Sequence, residues 1–115
     1  MRYMLLIYTN EATDAKAGTP EADARMAGYM AFGEEAGAAG VILAGDRLEP
    51  VSAARTVRIR DGKTVSADGP FAETKEQLGG YYIIESKSVE EAAAWGAKLP
   101  GAKDGSIEVR PIWEM

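Results

Sequence analysis

Arg2-Tyr3-Met4-Leu5-Leu6-Ile7-Tyr8-Thr9 dictates how the rest of the chain must be arranged. At the two-residue period of a strand, Tyr3, Leu5 and Ile7 fall on one face and Met4, Leu6 and Tyr8 on the other, so both faces are apolar. A half-solvated strand would alternate with polar residues; this one calls for cover on both sides. Helices supply the first cover. Thr19-Pro20 reads as an N-cap followed by proline at the first helical position, opening a helix that runs to Gly37 or Ala39 and ends at Gly40. Its inward stripe is expected to be Met26, Met30, Gly33 and Gly37, widened by Tyr29, Phe32 and Ala36, with Asp23, Arg25, Glu34 and Glu35 mostly outside. Ser88 and Glu91 form a capping box for a second helix, with Val89, Ala92, Ala93, Gly96 and Leu99 facing inward and Leu99-Pro100-Gly101 as its stop.

The remaining strands follow from pattern and turn chemistry. Val41-Ile42-Leu43-Ala44 is the second strand, leading into a loop at Gly45-Asp46-Arg47-Leu48-Glu49-Pro50. Thr56-Val57-Arg58-Ile59-Arg60 alternates, meets Asp61-Gly62 and returns through Lys63 to Ala67, which is the signature of a hairpin closed by a type I′ turn. Tyr81-Tyr82-Ile83-Ile84-Glu85 is again apolar on both faces, and Ser106 to Trp113 forms the last strand. The order β-α-β, hairpin, β-α-β specifies one α+β domain over residues 1–115: a ferredoxin-like sheet with two helices on one face and an inserted hairpin. Two helices cover one face only. A second copy packed sheet against sheet is the simplest cover for the other, so a homodimer is expected.

Composition narrows the chemistry. The chain has 115 residues, 46% hydrophobic, with no cysteine and no histidine. Disulfides, thiolate catalysis and sulfur-based zinc sites are thereby excluded, as is the commonest general base and metal ligand. No metal or other cofactor is called for by any motif, and the closing of a helix by Gly37-Ala38-Ala39-Gly40 is the reverse of a phosphate loop. A net charge of −5 with scattered Lys and Arg excludes nucleic acid as a partner. The apolar runs are far shorter than the roughly 20 residues of a membrane-spanning helix, and Met1-Arg2 leads directly into a strand without a cleavage site, so a cytoplasmic protein without membrane association is expected.

The densest cluster of special residues is Asp68-Gly69-Pro70-Phe71-Ala72-Glu73-Thr74-Lys75-Glu76-Gln77-Leu78-Gly79-Gly80. Loops with such a mixture carry function out of proportion to their length. Asp68-Gly69-Pro70-Phe71 followed by Glu73-Thr74-Lys75-Glu76 and Gly79-Gly80 resembles the signature of DGPF-type proteins of the YCII-related family, and the likeness extends from Met1-Arg2-Tyr3-Met4-Leu5 to Val109-Arg110-Pro111-Ile112-Trp113. The resemblance implies a dimeric α+β barrel. Other branches of that family are thought to use a His–Asp pair, which a histidine-free chain cannot supply.

Within these bounds the candidate groups are few. Asp46, beyond the second strand and beside an apolar wall, and Asp68 are candidate general bases; Lys75 or Arg47 would stabilise a developing anion. Tyr8, Arg47, Phe71, Glu73 and Glu76 are candidate ligand contacts around a small-molecule cleft, with Phe71 anchoring the loop in an apolar pocket. Read structurally, Asp46 and Asp68 cap turns, Phe71 plugs the core and Glu73, Lys75 and Glu76 form solvated pairs. The functional reading is proton transfer on a small organic molecule; its rival is a non-catalytic binding or regulatory module acting through the Asp68–Gly80 loop.

Overall fold

The computed structural model of the chain describes residues 1–114. The elements are β1 (Arg2–Thr9), α1 (Pro20–Ala38), β2 (Ile42–Arg47), a 3₁₀ turn (Val51–Ala53), β3 (Arg55–Arg60), β4 (Lys63–Asp68), β5 (Gln77–Glu85), α2 (Val89–Gly96), α3 (Gly101–Asp104) and β6 (Ser106–Pro111). Four strands form one antiparallel sheet in the order β2-β5-β1-β6, an α+β arrangement compatible with a ferredoxin-like fold. β3 and β4 form a separate two-stranded sheet.

The doubly apolar first strand takes a central place, as its pattern requires. Tyr3, Leu5 and Ile7 are buried beneath the helices together with Phe32, Ala36, Ile84, Ala92 and Leu99. Met4, Leu6 and Tyr8 point to the other side, where no helix lies, and stay half-exposed. α1 begins where expected: the Thr19 side chain accepts a hydrogen bond from the Ala22 N–H, with Pro20 opening the first turn. Ser88 caps α2 through the Glu91 N–H.

The helix faces differ from the expected stripes. Phe32 and Ala36 are the buried residues of α1, whereas Met26 and Met30 are exposed, Met30 at 63%. α1 is so rich in Ala, Gly and Met that hydropathy marks no sharp face, and the rigid aromatic decides the rotation. The Phe32 ring sits 4.9 Å from that of Tyr82 and 6.1 Å from that of Trp95, the latter edge-on. In α2, Ala92 and Gly96 are buried while Val89 and Ala93 face outward. α2 ends earlier than expected, at Gly96 with Ala97 as its C-cap, so Leu99-Pro100-Gly101 is not its stop: Leu99 and Pro100 lie in the connection and Gly101 opens the short α3.

Three strand boundaries also shift. β2 extends through Asp46 and Arg47, which lie in the sheet and not in a loop beyond it. β5 begins at Gln77, so Gly79 and Gly80 are strand residues. β6 ends at Pro111, short of Trp113. The hairpin closes as expected, with Asp61 at φ 53° and Gly62 at φ 74°, the positive values that a type I′ turn demands. It projects from the body. The radius of gyration is 16.0 Å, against about 13 Å for a compact chain of this size. No residue between 43 and 81 joins the hydrophobic core.

Candidate functional site

Strand register sets the side chains of the uncovered sheet face in rows. Glu108, Leu6, Tyr81 and Asp46 are successive cross-strand partners, one from each strand. Arg110, Met4, Ile83 and Ala44 form the next row on one side; Ser106, Tyr8 and Leu78 form the row on the other. The centre of the face is thus apolar and half-exposed, with a carboxylate at each end of its middle row.

Asp46 reaches this face because β2 carries a bulge. Ile42 pairs with Ile84 on the buried side, but Ala44 pairs with Ile83, leaving Leu43 as the extra residue and reversing the alternation beyond it. Gly45 then turns towards the helices, where a Cβ would stand 2.6 Å from Cδ1 of Tyr82. Only glycine lets the Tyr82 ring lie against the strand there, and Asp46 is left on the opposite side. Directly across from it, the Tyr81 hydroxyl donates a 2.8 Å hydrogen bond to Oδ2 of Asp46. That bond, reinforced by the carboxylate's negative charge, raises the Tyr81 pKa above the ordinary phenol value of 10.0. Tyr81 is therefore a neutral donor at physiological pH, and it orients one oxygen of Asp46 while the other stays open to a ligand proton.

The other candidates fall into two groups. Tyr8 shares the face with Asp46, and Glu76 closes its near end by accepting a 2.9 Å hydrogen bond from Ser106 Oγ. Arg47, one residue beyond Asp46, pairs with Gly80 at the end of β2 and is exposed. The second group belongs to the hairpin and the loop after it. Asp68 ends β4 and accepts a 2.9 Å hydrogen bond from Arg55 of β3, both side chains in solvent. Phe71 is 74% exposed, so within the chain it neither plugs the core nor occupies a pocket. Its carbonyl accepts a hydrogen bond from Arg58. Glu73 and Lys75 are exposed on an irregular segment leading into β5, with no helical turn.

Two concavities of the surface lie elsewhere. A groove of about 250 Å³ runs between α2 and β6 past Gly96 and Ile107, and one of about 350 Å³ between α1 and α3 past Gly28 and Pro100. Neither is lined by Tyr8, Asp46 or Tyr81. Asp46, Tyr81 and Tyr8 thus stand outside both grooves.

Comparison with known proteins settles the family. The YCII-related domain profile matches residues 1–115. The chain belongs to the YCII-related family. An uncharacterised protein of Rhizobium meliloti (strain 1021) is 39% identical over 114 residues, covering 97% of this chain and 92% of that protein. The YCII-related chain carries no helix, among the described residues, long and apolar enough to cross a membrane.

Tyr81 and Glu108 were not legible as site residues. Tyr81 stands in an apolar run and offers no polar pattern, and its meeting with Asp46 depends on a bulge. The available signal was the Gly45-Asp46 pair, since a glycine inside a strand marks a bulge or a close approach.

Proposed function

We propose that this YCII-related protein is a cytoplasmic homodimer that binds a small organic molecule over the face bearing Asp46 and Tyr81, and that Asp46 moves a proton to or from it. The observation that carries the reading is the Tyr81–Asp46 hydrogen bond beside the apolar centre of the sheet face. A carboxylate held by a neutral phenol beside apolar side chains is a general base awaiting desolvation. A second copy laid over the face, as in a dimeric α+β barrel, supplies that desolvation and turns an open surface into a cleft. Tyr8 and Glu76 then border the bound molecule, and Arg47 and Lys75 supply positive charge for the anion formed when a proton leaves carbon. Asp68 fits the role less well, since it lies on the exposed arm, paired with Arg55 and away from the sheet face.

The test is carbon–hydrogen exchange. Small carbonyl compounds incubated with the protein in heavy water should exchange an α-proton, read by NMR, and Asp46→Asn should abolish the exchange while Tyr81→Phe slows it. Exchange that persists in Asp46→Asn sinks the assignment of the base.

The exposed Phe71 favours a second reading, a non-catalytic module that docks a ligand or protein through residues 68–76. In that case Phe71→Ala removes binding, Asp46→Asn does not, and no exchange is seen.

A further inference from the structure

Among the described residues the β3–β4 arm has no strand partner outside itself, and its side-chain hydrogen bonds, Arg55 to Asp68, Thr56 to Gly69 and Arg58 to Phe71, remain within the arm and its base. An isolated two-stranded hairpin is marginal in water. Yet one face of this arm presents Val57 and Ile59, 60% and 61% exposed, on the same side as Thr64 and Ser66. Its opposite face carries Arg58, Arg60 and Lys63 around Val65, which is 49% exposed. Such a ribbon needs something to lie on.

We infer that the arm lies on a second copy of this chain, where Val57, Ile59 and the exposed Phe71 close the end of the partner's sheet face that holds Asp46, Tyr81 and Tyr8. The inference rests on the dimer of the preceding section and adds that each site is completed in trans. Net charge favours the encounter. The arm carries Arg55, Arg58, Arg60 and Lys63 against Asp61 and Asp68, a net of +2, so the rest of the chain, with a total of −5, carries −7, and the two attract at long range. The contact itself would be apolar: Arg58, Arg60 and Lys63 lie on the face opposite Val57 and Ile59, Arg55 is paired with Asp68, and on the sheet face Glu108 is paired with Arg110. Size agrees as well. Six residues per strand give an arm about 20 Å long, sufficient to cross four strands spaced about 4.8 Å apart. The arm also leaves the body between β2 and β5, the strands that carry Asp46 and Tyr81, and so stands at the end of the face it would close on a two-fold-related copy.

The absence of cysteine makes a clean test available. Leu78→Cys places a single thiol on the face beside Tyr8, and its reaction with Ellman's reagent reports cover. Two mixed dimers of full-length chains are compared. In the first, the thiol chain keeps its own arm and the partner carries Val57→Asp with Ile59→Asp; in the second, the thiol chain carries the altered arm and the partner is wild type. Cover in trans predicts fast reaction in the first dimer and reaction slowed at least about tenfold in the second, as expected under a packed element. The opposite order means that each arm folds over its own face. Equal protection in both means a sheet-on-sheet dimer that does not use the arm, and no protection in either, with sedimentation as a monomer, means no partner. Each of these three outcomes overturns the inference. None depends on a ligand, so they stand apart from any failure of the proton-transfer reading.

Discussion

The four-stranded sheet and the β3–β4 arm are both antiparallel β-structure, but they are ordered by different means. The sheet owes its order to one face: Leu5 and Ile84 are fully buried there, and Phe32, Ala36 and Leu99 pack onto them from the helices. Hydrophobic burial of that kind is worth roughly 25 cal/mol per Å² and dominates the stability of a small domain. The arm owes its order to local terms, a type I′ turn at Asp61-Gly62, a ladder of backbone hydrogen bonds and the exposed Arg55–Asp68 pair. Exposed ion pairs contribute at most about 1 kcal/mol. A body that is self-sufficient thus carries an appendage that is not, and the candidate chemistry lies between them.

That contrast can be broken by mutation. Phe32→Ala should have the largest effect, about 3–5 kcal/mol in urea unfolding, because the ring fills the space between Tyr82 and Trp95. Val57→Ala, measured at a concentration where the chain is monomeric, should cost no more than about 0.5 kcal/mol, as a substitution on an exposed arm does. A cost above about 2 kcal/mol for Val57→Ala would show that the arm packs on its own body, and the distinction between the two regions would fall.

The same contrast explains what the sequence disclosed. The doubly apolar Arg2–Thr9 run, the Thr19 and Ser88 caps and the Asp61-Gly62 turn are local signals, and each lies where the pattern puts it. Helix rotation was not local: Met30 and Phe32 are both apolar, and only the aromatic contacts from other elements select Phe32. The site was half legible. Asp46 stood out as a carboxylate beside an apolar run, but counting by twos from Ile42 puts it on the buried side. The bulge at Leu43 reverses that parity, and its one trace in the sequence is Gly45, just beyond an uninterrupted Ile42-Leu43-Ala44. A large aromatic seldom stands free, so the sequence points to Phe71 as an anchor, and its exposure is information that only the fold supplies.

Gly45→Ala probes the seam between body and site. The new Cβ would fall 2.6 Å from Cδ1 of Tyr82, so the ring or the strand must move, at a cost of about 1–3 kcal/mol. The measurement that sharpens the comparison is the companion change Gly62→Ala in the arm. It adds a Cβ at φ 74° with no atom in its way and should cost about 1 kcal/mol, confined to the exchange of arm amides. If Gly62→Ala destabilised the body as much as Gly45→Ala does, the two regions would unfold as one unit.

The smallest effect is the most specific to the site. Two of the chain's five tyrosines have raised pKa values, for different reasons: Tyr82 mainly because it is buried, Tyr81 because it donates to Asp46. A phenol whose folded pKa lies above the unfolded value of about 10 contributes its stabilisation fully below that pH and loses it as the pH rises through the folded pKa. The stability that Tyr81 contributes through this bond is therefore intact at neutral pH and is lost as the pH rises through its raised pKa. Asp46→Asn keeps a hydrogen-bond acceptor but removes the charge, so it should lower the Tyr81 pKa towards the ordinary value and leave Tyr82 where it is. In phenolate absorbance titrations, one proton equivalent should move to lower pH in the variant and the other late equivalent should stay. If both late tyrosines moved, Asp46 would be acting on the core and not on the open face. If neither moved, the hydroxyl would not be held by the carboxylate in solution, and Asp46 would lose the neutral donor that orients it for proton transfer.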